Sequence, residues 1–379
     1  MSRVDVAVVG AGPAGLAVAT ELRRRGAGTV VVHEREQHPG GIPRHTDHLG
    51  YGMRDLRRVT TGPRYAAALV RRAEQAGVEI RTGSTVTSID ELDAAAVVLA
   101  TGVRERPRSA RLVPGDRPSG VLTTGALQQF VTLHHQQVGR RAVVVGAEHV
   151  SFSAVLTLRH AGCSVAAMVT PLPHHQTYRL LRLATAGRHR VPVRTGVDVA
   201  EVVGRGRVEG VVLTDGSRIE CDTVVFTGDW VPDHELARSG GLSMLPGSRS
   251  PLVDAEMRTD RQGVFAVGNL VHPAETADVC ALDGRHAASA VVDWLTLQQW
   301  PSAVQPITAD SSVRWASHSA RGITLRVDRF VTGRLKVSAD GRVVWTGPRR
   351  SLVPNRSITI SAAAVRKAAD GRLHVEVVR

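Results

Sequence analysis

The opening thirty-four residues constrain the fold most tightly. Val4–Val9 is a continuous apolar run, the pattern of a strand buried on both faces of a parallel sheet. Gly10-Ala11-Gly12-Pro13-Ala14-Gly15 follows at once. Residues 16–25 read as a helix closed by Gly26, and a second short apolar run, residues 29–32, leads to Glu34. Strand, glycine turn, helix and second strand make one βαβ unit. Gly10 allows the tight turn, Gly12 lets the backbone approach a pyrophosphate, and Gly15 lets the helix pack on the sheet. Pro13 suits a first helical turn, where no N–H is needed. The helix N-terminus then faces the phosphates, and Glu34, 19 residues after Gly15, accepts from a ribose hydroxyl. A glycine turn in an unrelated α/β fold would account for the spacing, but not for strand, helix and acid together.

Further along, residues 39–62 are rich in Gly, Pro, His and Arg and lack periodicity, so they read as a long functional loop. A helix over 64–75, short strands over 78–81 and 86–89, and a buried strand over 94–100 ending in Thr101-Gly102 complete the first unit. A similar unit starts near residue 140, with a strand over 141–145, a helix over 150–160 and a strand over 164–169. Strands over 197–203, 208–214, 218–221 and 223–227 follow. A helix near 281–297 precedes a linker over 301–306, and the alternating tail from 313 onward reads as β structure.

The second glycine turn departs from the first. It reads Gly146-Ala147-Glu148-His149-Val150-Ser151, and Glu148 stands where a working motif has glycine. A carboxylate there opposes two phosphates. The next strand ends Met168-Val169-Thr170, with no acid for a ribose and no arginine for a 2′-phosphate. We therefore expect Gly146 and Glu148 to mark a nucleotide site that has lost ordinary NAD(P) binding.

Composition excludes several classes. The chain has 379 residues, 42% hydrophobic and 22% charged, which is ordinary globular usage. No apolar stretch is long enough to span a bilayer, and no leader is evident, so a cytoplasmic location is expected. The net charge is +13, carried almost wholly by arginine, since Lys336 and Lys367 are the only lysines. The arginines are scattered and aromatic residues make up 3%, too few for base-stacking platforms, so no nucleic-acid partner is expected. Cys163, Cys221 and Cys280 are far apart, which excludes a C-x-x-C dithiol and a four-cysteine cluster. His45 and His48 in the loop are candidates for proton transfer, since histidine titrates near neutral pH, although hydrogen bonding within the loop explains them as well. No third ligand of suitable spacing accompanies them, so no metal is expected.

Beyond these readings, the chain resembles the FAD-dependent two-dinucleotide-domain oxidoreductases, the pyridine nucleotide–disulfide oxidoreductase-like flavoproteins. The resemblance rests on Gly10 to Gly15 with Glu34, on Gly40-Gly41, on Leu99-Ala100-Thr101-Gly102 and on the stretch from Thr259 to Asn269, and covers about residues 3–297. It implies that FAD is held by Gly10, Gly12, Pro13, Ala14, Gly15, Glu34, Gly41, Arg44, Val86, Thr101, Gly102, Gly268 and Asn269. The family normally has Asp at the last position; Asn269 hydrogen-bonds but adds no charge. The resemblance further implies that the helix after Asn269 points its N-terminus at the flavin pyrimidine edge, where it stabilises the negative charge of reduced flavin. A narrower resemblance is to the FAD-bearing α subunits of amino-acid and opine dehydrogenases and hydrogen-cyanide synthase. It is carried by Ala100-Thr101-Gly102-Val103-Arg104-Glu105-Arg106-Pro107 and Pro118-Ser119-Gly120-Val121-Leu122-Thr123-Thr124-Gly125-Ala126.

The expected fold is α/β, with two Rossmann-like three-layer domains, the first discontinuous, and a small mostly β C-terminal appendage. The expected bounds are 1–125 with 255–300 for FAD, 126–254 for the degenerate NAD(P)-type domain and 307–379 for the appendage. The expected function is that of an FAD-dependent oxidoreductase without a redox-active disulfide. It acts as a dehydrogenase or electron-transfer component on an amine-like or small organic substrate, and its expected partner is a flavoprotein or an iron–sulfur protein. Two alternatives stand: an NAD(P)H-dependent flavoprotein reductase, and a flavin-bearing relay or structural subunit with no substrate site of its own.

Overall fold

The computed structural model describes residues 4–365 and 371–379. Lys367 and its neighbours in the expected appendage lie outside the described residues. The chain forms two compact units. The first comprises residues 1–44, 50–103 and 231–379, and the second 45–49 and 104–230.

The first unit opens with β1 (Val4–Val9), α1 (Pro13–Arg24) and β2 (Val30–His33), followed by α2 (Gly62–Gln75), β3 (Glu79–Arg81) and β4 (Ala94–Leu99). Helix α1 starts earlier than residue 16 because Gly12, in extended conformation, is its N-cap and Pro13 its first helical residue. The strand expected over 86–89 is absent. Ser88 instead caps a 3₁₀ turn over Ile89–Glu91, and Glu91 accepts from the backbone N–H groups of Thr87 and Ser88.

In the second unit, β5 (Val121–Thr123), β6 (Arg141–Val145), α3 (His149–His160), β7 (Ser164–Thr170), β8 (Val193–Thr195) and β9 (Thr223–Phe226) build a parallel sheet in the order β8-β7-β6-β9-β5. An antiparallel meander over Val199–Val203, Gly210–Leu213 and Arg218–Glu220 covers one face, so the sheet has a separate core on each side. The expected boundary at residue 125 moves to 103, because Val121 and Leu122 pair with Val224 and Val225 on β9. The return to the first unit falls at Val231 rather than 255.

There the chain adds β10 (Val264–Ala266) and α4 (Ala277–Leu297). Strand β10 completes a five-stranded parallel sheet in the order β10-β4-β1-β2-β3. Helix α4 lies against α1, and a Cβ on Gly284 would fall 2.3 Å from the Ala14 carbonyl oxygen. Buried Val8, Leu16, Val32, Leu99, Phe265 and Val291 share the core around this sheet.

The C-terminal region follows as β11 (Val313–Ser319), β12 (Gly322–Val327), β13 (Val331–Ala339), β14 (Arg342–Thr346), β15 (Ile358–Ser361) and β16 (Leu373–Val378). Two antiparallel groups, β11-β12-β15 and β16-β13-β14, enclose one small core that includes Ile323, Leu325, Leu335, Val337, Ile360 and Val375. By contact it belongs with the first unit.

Candidate functional site

The two glycine turns occupy equivalent places in the two sheets, and their chemistry is opposite. At the first, the three glycines have distinct tasks. Gly10 has φ +104°, and a Cβ there would fall 2.5 Å from the Ala100 carbonyl oxygen. A Cβ on Gly15 would fall 1.9 Å from the Gly10 carbonyl oxygen. Both glycines are therefore demanded by the fold itself. A Cβ on Gly12 would meet nothing within 4 Å, so the fold itself does not demand glycine there. No side chain caps α1, and its first turn holds no acid, which leaves its N-terminal N–H groups for an anion.

The surrounding residues complete this cradle. Glu34 is buried and accepts from Ala11 N at 2.9 Å and Glu36 N at 2.9 Å, so it fixes the glycine turn and keeps lone pairs for a hydroxyl. A Cβ on Gly41 would fall 2.9 Å from Gly12 Cα. Arg44 pairs with Glu36, and its Nε is buried without a hydrogen-bond partner among the described residues. Val86 is half-buried against the first core. The Thr101 hydroxyl donates to the Asp233 carbonyl at 2.7 Å, and Gly102 O accepts from Asp233 N at 2.9 Å. Gly268 has φ +68°, and a Cβ there would lie 2.7 Å from Ala14 Cβ, so the late loop closes directly over the start of α1. The Asn269 side chain spans its own loop. Oδ1 accepts from Glu275 N at 2.8 Å and Nδ2 donates to Glu275 O at 3.1 Å.

At the second turn, the Glu148 carboxylate lies over the loop. Ala147 N donates to Oε2 at 3.1 Å and the Thr227 hydroxyl donates to Oε1 at 2.8 Å. Ser151 Oγ, 2.6 Å from Thr227 Oγ1, receives Glu148 N at 3.2 Å. A Cβ on Gly146 would lie 2.9 Å from Oε2, and one on Gly228 would lie 2.6 Å from Oε1. The Glu148 carboxylate, buried and hydrogen-bonded, thus lies between Gly146 and Gly228.

Residues 4–305 match the pyridine nucleotide-disulphide oxidoreductase family. The chain belongs to that family. Among curated relatives, it is 29% identical over 286 residues to a benzene 1,2-dioxygenase system ferredoxin–NAD(+) reductase subunit of Pseudomonas putida, covering 70% of this chain and 66% of that one. It is 25% identical over 335 residues to an opine oxidase subunit of Rhizobium meliloti, covering 76% of this chain and 62% of that one. The chain thus spans slightly less than two thirds of either relative. Thioredoxin reductase of T. acidophilum has the same fold, with a TM-score of 0.65 at 21% identity over 76% of this chain and 98% of that one.

The disulphide of the family's name has no counterpart here. Cys163, Cys221 and Cys280 are free and buried. Burial pushes the Cys163 and Cys221 thiols up to about 11 and raises Cys280 well above the ordinary thiol range. All three are held as unreactive thiols. No described helix is long and apolar enough to cross a membrane.

His48 sits in a closed hydrogen-bond network within the second unit. Its Nδ1 lies 2.8 Å from the Leu49 carbonyl, which only accepts, so Nδ1 carries the proton. Its Nε2 lies 2.6 Å from Ser153 Oγ. Gln128 joins Ser153 at 2.9 Å and Thr46 at 3.0 Å. Both ring nitrogens are engaged, one within the loop and one by α3. His45 is buried beside it.

The two subgroup motifs meet at Glu105, an acid that the motif pattern alone does not single out. Glu105 accepts from Gly125 N at 3.0 Å and Gly228 N at 3.2 Å, joining the first motif to the second. Arg106 pairs with Asp229 at 3.0 Å, and Arg111 donates to the carbonyls of Thr227 and Gly228. Burial pushes the Glu105 carboxyl up to about 7, with Glu148 adding to the rise and the backbone N–H of Gly125 opposing it. The folded chain thus holds a proton that the unfolded chain releases above about pH 4.5. The contribution of Glu105 to stability is full below that value and is lost as pH rises through 7. Glu105→Gln removes this slope. Urea titrations across this range are expected to show wild-type stability falling by up to about 3 kcal/mol relative to the variant.

Proposed function

We propose that the chain is an FAD-dependent dehydrogenase component that takes electrons from a small amine-like substrate and passes them to a partner flavoprotein or iron–sulfur subunit. The observation that carries this reading is the contrast between the two turns. The α1 N-terminus is free of any side-chain cap, whereas Glu148 lies over the equivalent turn before α3. A reductase that draws on NAD(P)H needs the second turn open; a dehydrogenase fed by another donor does not.

In this reading Gly10, Gly12, Pro13, Ala14 and Gly15 hold the pyrophosphate of FAD, and Glu34 holds a ribose hydroxyl. Gly41, Arg44, Val86, Thr101, Gly102, Gly268 and Asn269 line the rest of its path. Bound FAD supplies hydride acceptance. The positive end of α4 stabilises the negative charge that reduction creates. Relatives named as opine oxidase subunits support the amine-like substrate and the multi-subunit setting, which we assign to the cytoplasm. The relatives named as ferredoxin–NAD(+) reductases favour a second reading, an NAD(P)H-dependent reductase with a ferredoxin partner.

The test is anaerobic bleaching of the purified yellow protein by a panel of secondary amines and N-substituted amino acids. At least one is expected to reduce the flavin at a saturable rate faster than NADH does. A panel without effect, beside rapid bleaching by NADH, would favour the second reading.

A further inference from the structure

The C-terminal region lies beyond residues 4–305, yet the most buried charge among its described residues reaches the loop that the proposed reading sets against FAD. Arg326, on β12, is 5% exposed. Its Nη2 donates to Glu275 Oε1 at 2.6 Å and to the Ala274 carbonyl at 3.1 Å, and its guanidinium lies 5.5 Å above the Trp315 ring. Its Nη1 is buried without a hydrogen-bond partner among the described residues. Glu275 is the residue whose backbone both groups of the Asn269 side chain engage. Thr276, next in the chain, is the N-cap of α4. One guanidinium therefore fixes the stretch between Asn269 and the positive end of α4.

A second tie bounds the same loop. His272 and Asp283 are fully buried, with Nδ1 2.9 Å from Asp283 Oδ2. His272 Nε2 contacts the His318 carbonyl, and Ala320 N donates to Asp283 Oδ1 at 3.0 Å. Both ring nitrogens face acceptors, so the ring is an imidazolium balanced by the carboxylate. Strand β11 and the turn after it thus hold the middle of the loop, and β12 holds its end. Buried ion pairs add little net stability over apolar residues of similar shape. What such a pair supplies at this position is a fixed geometry.

We propose that the C-terminal β region is a cofactor clamp, with Arg326 as the positioning residue that sets the loop over residues 268–276 and the start of α4 against the flavin. The proposal rests on the FAD reading above. Because α4 presents positive potential, its placement matters more for the reduced, anionic flavin than for the oxidised one.

The test uses the full chain with FAD. Arg326→Met combined with Glu275→Gln removes both charges, so no unpaired buried ion remains, and Arg326→Lys keeps the charge. Far-UV circular dichroism and melting of the apoprotein check the fold. The double variant is expected to melt near wild type, to bind FAD at least tenfold more weakly, and to lose a further tenfold for the reduced form. That further loss is a fall of about 30 mV in the two-electron midpoint potential. Arg326→Lys is expected to recover most of both. A folded double variant with wild-type affinity and potential would overturn the clamp while leaving the FAD reading intact. A wild type that binds no FAD would instead overturn the FAD reading itself.

Discussion

Gly12→Val is expected to fold as the wild type does and to carry no FAD. The residue sits at φ −78°, which valine tolerates, and a Cβ there meets nothing within 4 Å. The branched side chain would fill the approach to the α1 N-terminus and displace charge-assisted hydrogen bonds from backbone N–H groups. Losing two such bonds costs about 3–6 kcal/mol, or two to four decades of affinity. Visible absorbance after purification and after reconstitution checks the loss, and far-UV circular dichroism checks the fold. The neighbouring glycines supply the contrast. Gly10→Val and Gly15→Val would drive a Cβ into backbone oxygens at 2.5 and 1.9 Å, so both are expected to fail in folding rather than in binding. A folded Gly12→Val protein that remains yellow would contradict the site.

The second large effect is expected at Glu148. A carboxylate about 4 Å from a phosphate costs about 4 kcal/mol at an effective dielectric near 20, or close to three decades of affinity. Glu148→Gly removes that charge and uncovers Gly146 and Gly228, so nicotinamide nucleotides are expected to bind the variant measurably. The gain is partial. Thr170 at the end of β7 gives no ribose anchor, and the Thr227 hydroxyl loses its carboxylate acceptor. Fluorescence titration of wild type and variant with NADH checks the change; equal affinities would show that Glu148 does not guard the turn.

The first βαβ unit is legible in the sequence because its signals are local: a buried run, glycines with separate steric tasks, a proline at the first helical turn and an acid at the end of the next strand. Glu148 is legible by its place in the pattern. Its partner Thr227 is not, because hydrogen bonds across 79 residues leave no periodic trace. The same reason hides the domain boundary, which depends on Val121 pairing with Val224. Residues 86–89 mislead through their β-branched side chains, since Ser88 and Glu91 use the local N–H groups for a turn. Arg326 is the least legible. Between Leu325 and Val327 the alternation gives no sign of its burial, which comes from contact with Ala274, Glu275 and Trp315. Glu105 stands within a subgroup motif, but its raised carboxyl arises from burial that no motif records.

The most direct test of the account is anaerobic stopped-flow mixing of the wild-type holoprotein with NADH and with NADPH. With Glu148 buried over the second turn, neither nucleotide is expected to reduce the flavin at more than a trace rate at saturating concentration, while an amine-type donor reduces it readily. Rapid reduction by either nucleotide would contradict the account and make the chain an NAD(P)H-dependent reductase.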